Sequence, residues 1–172
     1  MLRFIAARDH GLMRRIHGWQ APRWFRIWML AATRGGDGWL WIPVCVAALV
    51  AGGRNSVAAV AAAGSATAAG AASFLVLKRF TNRRRPCDIQ PHCWSEMLPP
   101  DQFSFPSGHT ITSFATATSL ALFYEAWAAP LLVCAASVAL SRVVLGMHFL
   151  SDVAAGAILG AALGAAAWVV FR

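Results

Sequence analysis

The sequence predicts an all-α integral membrane helical bundle of about five transmembrane helices, preceded by an N-terminal interfacial amphipathic segment. Three observations carry that prediction. Hydrophobic residues make up 58% of the 172, and charged residues only 13%. The apolar residues are gathered in runs of roughly 14 to 25, lengths that suit a bilayer better than a water-soluble core. The polar residues fall between those runs or at their ends, where a membrane protein keeps what it uses.

The organisation read along the chain is an interfacial segment over residues 1–36 and a transmembrane domain over 37–172. In the segment, Ile5, Leu12, Ile16 and Trp19 share one helical stripe, with Arg3, His10, Arg14 and His17 opposite. Pro22 is suited to the first turn of a second helix, on which Trp24, Ile27, Trp28 and Ala31 face one way. A basic face opposite Trp and Leu is the pattern of a helix lying in the headgroup layer. Arg34-Gly35-Gly36-Asp37-Gly38 reads as a turn from its glycines.

Trp39–Ala51 is the first apolar run and is short for a span of about 20 residues. Ser56–Leu77, Thr110–Ala129, Leu131–Val144 and Val153–Phe171 complete the five, with Arg54-Asn55 as a tight connection and Tyr124 to Pro130 as another. Between Arg79 and Phe105 lies one long loop, where Pro86, Pro91, Pro99 and Pro100 prevent a long helix. Gly156, Gly160 and Gly164 recur at four-residue spacing in the last run. Such a face permits close helix approach in lipid, within the monomer or with a second copy in a homodimer.

The net charge of +8 does not point to nucleic acid. Its basic residues sit in the N-terminal segment and in the Lys78–Arg85 cluster, with Arg54, Arg142 and Arg172 isolated, rather than along one stripe. Anionic lipid headgroups and a phosphorylated substrate account for that placement. The N-terminus lacks an uninterrupted apolar stretch followed by a small-residue cleavage site, so no signal peptide is expected.

Three polar stretches carry the chemistry. In Pro106-Ser107-Gly108-His109, Ser107 is suited to cap a helix beginning near His109. The backbone N–H groups of Ser107, Gly108 and His109 would then face an anion at the positive end of that helix. In Ser141 to Asp152, His148 and Asp152 are four apart and share a helix face. A carboxylate on one imidazole nitrogen fixes the tautomer and leaves the other as nucleophile or base; a packing histidine is the alternative for an isolated pair. In Lys78 to Pro86, Lys78 supplies a point charge and Arg85 a forked donor for phosphate oxygens. Arg79, Arg83 and Arg84 are read as a positive anchor at a helix end.

Lys-x6-Arg-Pro (Lys78, Arg85, Pro86), Pro-Ser-Gly-His (Pro106–His109) and Ser-Arg-x5-His-x3-Asp (Ser141, Arg142, His148, Asp152) together resemble the tripartite signature of the type-2 phosphatidic acid phosphatases, a superfamily shared with vanadium haloperoxidases. The resemblance covers roughly residues 37–165 and leaves the N-terminal segment aside. The chain is short for that family and lacks the first span of its six-helix bacterial members.

The resemblance implies a phosphatase that needs no metal or other cofactor and works through phosphohistidine. It implies His148 as nucleophile, Asp152 as its orienting group, and His109 as the acid that protonates the leaving group and then activates water. Lys78, Arg85, Ser107, Gly108 and Arg142 would bind the phosphoryl oxygens. The expected substrate is a lipid phosphate: phosphatidic acid, phosphatidylglycerol phosphate or polyprenyl diphosphate. The nearest rival is a lipid phosphotransferase using the same phosphohistidine. A vanadate-dependent peroxidase fits an apolar bundle less well, and a simple anionic-lipid binder leaves both histidines unexplained.

Cys87 and Cys93, near His92, would form a disulfide in an oxidising compartment, while a zinc site there lacks a fourth ligand. Cys45 and Cys134 lie in apolar runs and read as packing residues. With five spans, every basic residue except Arg54 and Arg172 falls on the catalytic side. The positive-inside rule then turns the site toward the cytoplasm of a bacterial inner membrane. The bacterial members that process lipid phosphates outside the cytoplasm point the other way.

Overall fold

The computed structural model of the chain describes residues 2–89 and 103–172. Among them it contains eight α-helices: α1 (Leu2–His17), α2 (Arg23–Arg34), α3 (Trp41–Ala51), α4 (Ser56–Thr81), α5 (Pro86–Ile89), α6 (Gly108–Phe123), α7 (Ala128–Val144) and α8 (Leu150–Phe171). Three stretches are long and apolar enough to cross a membrane: Gly53–Thr81, Glu125–Val144 and Leu150–Phe171. Thus the expected five spans resolve into three full-length ones and two shorter helices, α3 of 11 residues and α6 of 16. Thr110–Ala129 is not one helix, because Tyr124 leaves helical geometry at φ −128° and ψ 82°.

The shortness of α6 follows from its position. It packs against α4, α7 and α8, so it is enclosed by protein rather than by lipid. That enclosure lets it bury Thr110, Ser113, Thr116 and Ser119. Neighbouring helices supply partners for two of these hydroxyls. Trp41 Nε1 of α3 donates to Ser113 Oγ at 3.2 Å, and Thr67 of α4 pairs with Thr116 at 2.8 Å.

The glycine face of α8 is spent on α6. Gly156, Gly160 and Gly164 are buried, and a methyl group on any of them would press on α6 or on Ser107 just before it. At Gly164 it would stand 2.5 Å from the Ala115 carbonyl oxygen, and at Gly160 it would run into that of Ile111. Of the two uses left open for this face, packing within the monomer or a homodimer, the structure shows the first: α6 occupies it.

The N-terminal segment also differs from its expected pattern. On α1, Met13 packs with Ala139, Val143, Phe149 and Val153, and Asp9 beside it is only 5% exposed. A carboxylate, absent from both expected stripes, therefore faces the bundle. On α2, Met29 and Thr33 are buried against α7, while Trp24, Ile27 and Trp28 face outward with the neighbouring Arg23.

Candidate active site

The ends of α4, α6, α7 and α8 meet at one face of the bundle, and their junctions build the site. After α4, Arg84 bridges Phe103 in antiparallel pairing, and Ser104 N donates to the Arg83 carbonyl at 2.7 Å. That pairing carries the Ser104 carbonyl across to His148. At the end of α7, Gly146 adopts φ 69°, a left-handed conformation glycine takes without steric cost. Met147 N and His148 N both donate to the Arg142 carbonyl at 3.0 Å, and Cys87 N donates to the Gly146 carbonyl at 3.1 Å. The turn holding His148 is thus tied to both α7 and α5.

His148 is buried. Its Nδ1 donates to the Ser104 carbonyl at 2.5 Å, which fixes the tautomer and makes Nε2 the unprotonated nitrogen. Arg85 Nη1 donates to that Nε2 at 3.2 Å and to the Met147 carbonyl at 2.9 Å. Burial, then Arg142 and Arg85, hold the His148 imidazole well below its ordinary value of 6.5. Removing water and adding two nearby cations both disfavour a charged ring. The ring is held neutral.

Asp152 does not make the expected contact. Its Oδ2 stands 4.0 Å from His148 Nδ1, beyond hydrogen-bonding range. That oxygen instead accepts from Phe149 N at 2.8 Å, closing the first turn of α8. Its Oδ1 accepts from Arg83 Nη1 at 2.6 Å. Arg83 also donates to Ser151 Oγ at 2.7 Å and, through Nη2, to Asp9 Oδ2 at 2.7 Å. The guanidinium lies over the Phe149 ring at 4.2 Å. Arg83, expected as a mere anchor, ties α1 to the first turn of α8.

Ser107 is displaced from its expected role as well. It is fully buried, its N donates to the Asp152 carbonyl at 3.3 Å, and its Oγ accepts from Thr110 at 2.9 Å. Its N–H is therefore not turned to an anion. The first-turn N–H groups of Gly108 and His109 remain, as at any helix start. His109 Nε2 pairs with Asp37 Oδ1 at 2.5 Å, a partner the motifs did not name. Arg142 Nη1 donates to Thr33 Oγ1 at 2.5 Å, so α2 also reaches the site.

Arg85, Gly108, His109, Arg142 and His148 line one cavity of about 800 Å³. Lys78 stands one turn along α4 from Phe74, a cavity residue, with Nζ 4.7 Å from that ring. Away from the histidines the cavity becomes apolar, running between Trp41, Cys45 and Leu49 of α3 and Val60, Ala63 and Ala71 of α4. Ile42, Val46 and Leu49 on its wall are themselves exposed, so it opens on the outer flank of the bundle. One end suits an anion and the rest an aliphatic chain.

A family model described as the PAP2 superfamily matches residues 58–172. The chain belongs to the PAP2 superfamily. This PAP2 chain is 38% identical over 145 residues to decaprenylphosphoryl-5-phosphoribose phosphatase of Mycobacterium tuberculosis, covering 80% of the chain and 77% of that protein. It is 32% identical over 100 residues to lipid A 1-phosphatase of Rhizobium johnstonii, covering 56% and 41% respectively. Its fold matches a PAP2-type phosphatidylglycerolphosphate phosphatase from Bacillus subtilis at TM-score 0.75 and 21% identity, over 96% of this chain and 85% of that one. LpxE from Aquifex aeolicus matches at TM-score 0.74 and 25% identity, over 91% and 92%. The PAP2 chain is a membrane lipid phosphatase.

The sequence reading missed Asp37, Ser104, Arg83, Asp9 and Thr33. Asp9 and Asp37 are the only acidic residues before position 88, and that scarcity was a usable signal. Ser104 acts through its carbonyl, which leaves no trace in residue type. Of the remaining expectations, Cys45 lines the cavity wall and Cys134 packs on the α3–α4–α6–α7 core, while His92 and Cys93 lie outside the described residues.

Proposed function

We propose that the chain hydrolyses a lipid phosphate, monoester or diphosphate, through a phosphohistidine formed on His148 and without a metal ion. The observation that carries this reading is the joining of two unlike halves in one cavity: two histidines and two arginines at one end, an apolar channel beyond. His148 Nε2 attacks phosphorus, the bond to the bridging oxygen breaks, and His109 gives that oxygen its proton. His109 then takes a proton from water as the water attacks the phosphohistidine, and phosphate leaves with the ring nitrogen recovering its electron pair. Arg85 and Arg142 meet the phosphoryl oxygens with the first-turn N–H groups of α6, and Lys78 adds charge at the rim. Electrostatic stabilisation and in-line placement are the main demands of phosphoryl transfer. Asp152 and Ser107 act from behind, holding the turn rather than touching phosphate.

The substrates we propose are phosphatidic acid, phosphatidylglycerol phosphate, polyprenyl diphosphate, or a phosphorylated polyprenyl-linked sugar. The last is the class named for the mycobacterial relative. The concentration of basic residues at the catalytic end favours a site facing the cytoplasm of a bacterial inner membrane, with anionic headgroups around α1 and α2. The test is phosphate release in excess EDTA by wild type and His148→Ala on each of these lipids. Release by wild type alone supports the reading, and equal release by both proteins removes it. Consumption of lipid phosphate only when a lipid acceptor is added would assign a transferase instead.

A further inference from the structure

We propose that Asp37 is a positioning residue for His109, orienting its ring and favouring its charged form so that it protonates the leaving group. This rests on the proposed phosphohistidine reading, in which His148 attacks phosphorus and His109 is the general acid. Three observations carry it.

The first is direct: His109 Nε2 donates to Asp37 Oδ1 at 2.5 Å. The second is the way the turn is shaped to permit that contact. A methyl group on Gly36 would lie 2.7 Å from Val138 Cγ1 and 3.1 Å from His109 Cδ2, so only glycine lets the turn lie flush against α7 and His109. Gly38 follows at φ 108°, a conformation that L side chains rarely adopt. The glycines on either side of Asp37 thus set where its carboxylate goes.

The third is charge. The groups around His109 are Asp37 from the turn before α3, Arg85 from the segment after α4, Arg142 from the end of α7, and His148 from the turn before α8. Among the described residues lining the cavity, Asp37 is the one acid. Burial and the two guanidiniums disfavour an imidazolium, and the Asp37 carboxylate in hydrogen-bonding contact works against them. An acid catalyst placed among cations needs such a partner to be protonated near neutral pH. The turn lies outside residues 58–172, so the partner is supplied by a part of the chain that the three motifs do not cover.

In the step that follows, the electron pair of the broken P–O bond passes to the leaving oxygen. His109 gives that oxygen its proton, and Asp37 then neighbours a neutral ring. When water attacks the phosphohistidine, His109 takes a proton back and the Asp37 carboxylate stabilises the charge it gains.

The experiment compares wild type, Asp37→Asn, Asp37→Glu and His148→Ala on two lipid phosphates sharing one tail, one with an alkyl and one with a nitrophenyl leaving group. A nitrophenolate needs little help from an acid, whereas an alkoxide needs it fully. Asp37→Asn is expected to lose about 10- to 100-fold in kcat on the alkyl ester. On the nitrophenyl ester the loss should be about threefold or less, and the basic limb of the alkyl profile should move down by about one pH unit. Asp37→Glu should recover part of the difference. Asp37 is nearly half exposed, and matched unfolding temperatures for the Asn variant would separate chemistry from folding. Equal losses on both esters, or an unmoved basic limb, would overturn the role of Asp37 and leave the phosphatase reading standing. Undiminished turnover by His148→Ala would instead overturn the underlying reading.

Discussion

Arg83 holds Asp152 from one side of its guanidinium and Asp9 from the other, with N–O separations of 2.6 and 2.7 Å. The group that completes the third motif is therefore anchored by α1. Asp152 is fully buried and Arg83 about a quarter exposed, so removing the arginine strands a carboxylate inside protein. Breaking a buried pair from one side costs roughly 3–5 kcal/mol, and the partial exposure of Arg83 puts the expectation at about 2–4.

Arg83→Ala and Asp152→Asn are accordingly expected to lower thermal stability in detergent as well as turnover. Asp9→Asn should do so to a smaller degree, because Ser151 N and Oγ also bind that carboxylate. In a double-mutant cycle, Asp9 and Arg83 should couple by about 1 kcal/mol or more. Additive losses would mean that the two act separately.

The depressed His148 value gives a pH expectation. With its folded value well below 6.5, the ring of the proposed nucleophile stays neutral through the ordinary range. The acid limb of kcat/KM, which reports the free enzyme, should then lie well below pH 6.5. Stability follows the same sign: the unfolded ring binds a proton near 6.5 before the folded one does, so stability falls as pH drops through that region. His148→Gln should flatten that part of the stability profile. An acid limb at or above 6.5 would contradict the buried setting of the ring.

The α6–α8 contact predicts a graded glycine series. Gly160→Ala and Gly164→Ala would press a methyl group onto α6 backbone, which yields poorly. Overpacking of this kind costs roughly 1–3 kcal/mol. Gly11→Ala meets nothing within 4 Å and should be neutral or stabilising. Unfolding temperatures of the three variants test this, and a neutral Gly160→Ala would mean that the helices are not seated as described.

Cys45 offers a test of the channel. It lines the apolar part of the cavity wall between α3 and α4. Alkylation with a long-chain maleimide should abolish hydrolysis of long-chain lipid phosphates by at least about tenfold while sparing a short-chain substrate, because tail seating lowers the barrier only for substrates that have a tail. Cys45→Ala should remove the sensitivity. Equal inhibition of both substrates would place the tail elsewhere.

Much of this architecture was readable in advance, and the reasons are local. Apolar runs marked α4, α7 and α8 because helix length and lipid thickness leave few alternatives. The motifs marked His109, His148, Arg85 and Arg142 because each is fixed within its own short segment. The failures concern partners distant along the chain. Ser104 meets His148 across 44 positions, Asp37 meets His109 across 72, and Asp9 meets Arg83 across 74. The Asp152 error is instructive in another way: four-residue spacing does place it beside His148, but the open N–H at the start of α8 was a nearer claimant. The end of α6 was overrun because its hydroxyls are hidden by neighbours, and hydropathy does not register enclosure.

The channel between α3 and α4 opens sideways, on a flank covered by the exposed apolar side chains of Ile42, Val46 and Leu49. A substrate arriving by that route is a solute of the bilayer, diffusing in two dimensions. The quantity that sets the encounter rate is then its mole fraction among the surrounding lipids, not its amount per volume of buffer. Adding inert detergent at fixed enzyme and substrate should slow turnover as the micellar surface grows. Kinetic constants for this enzyme therefore belong in surface units.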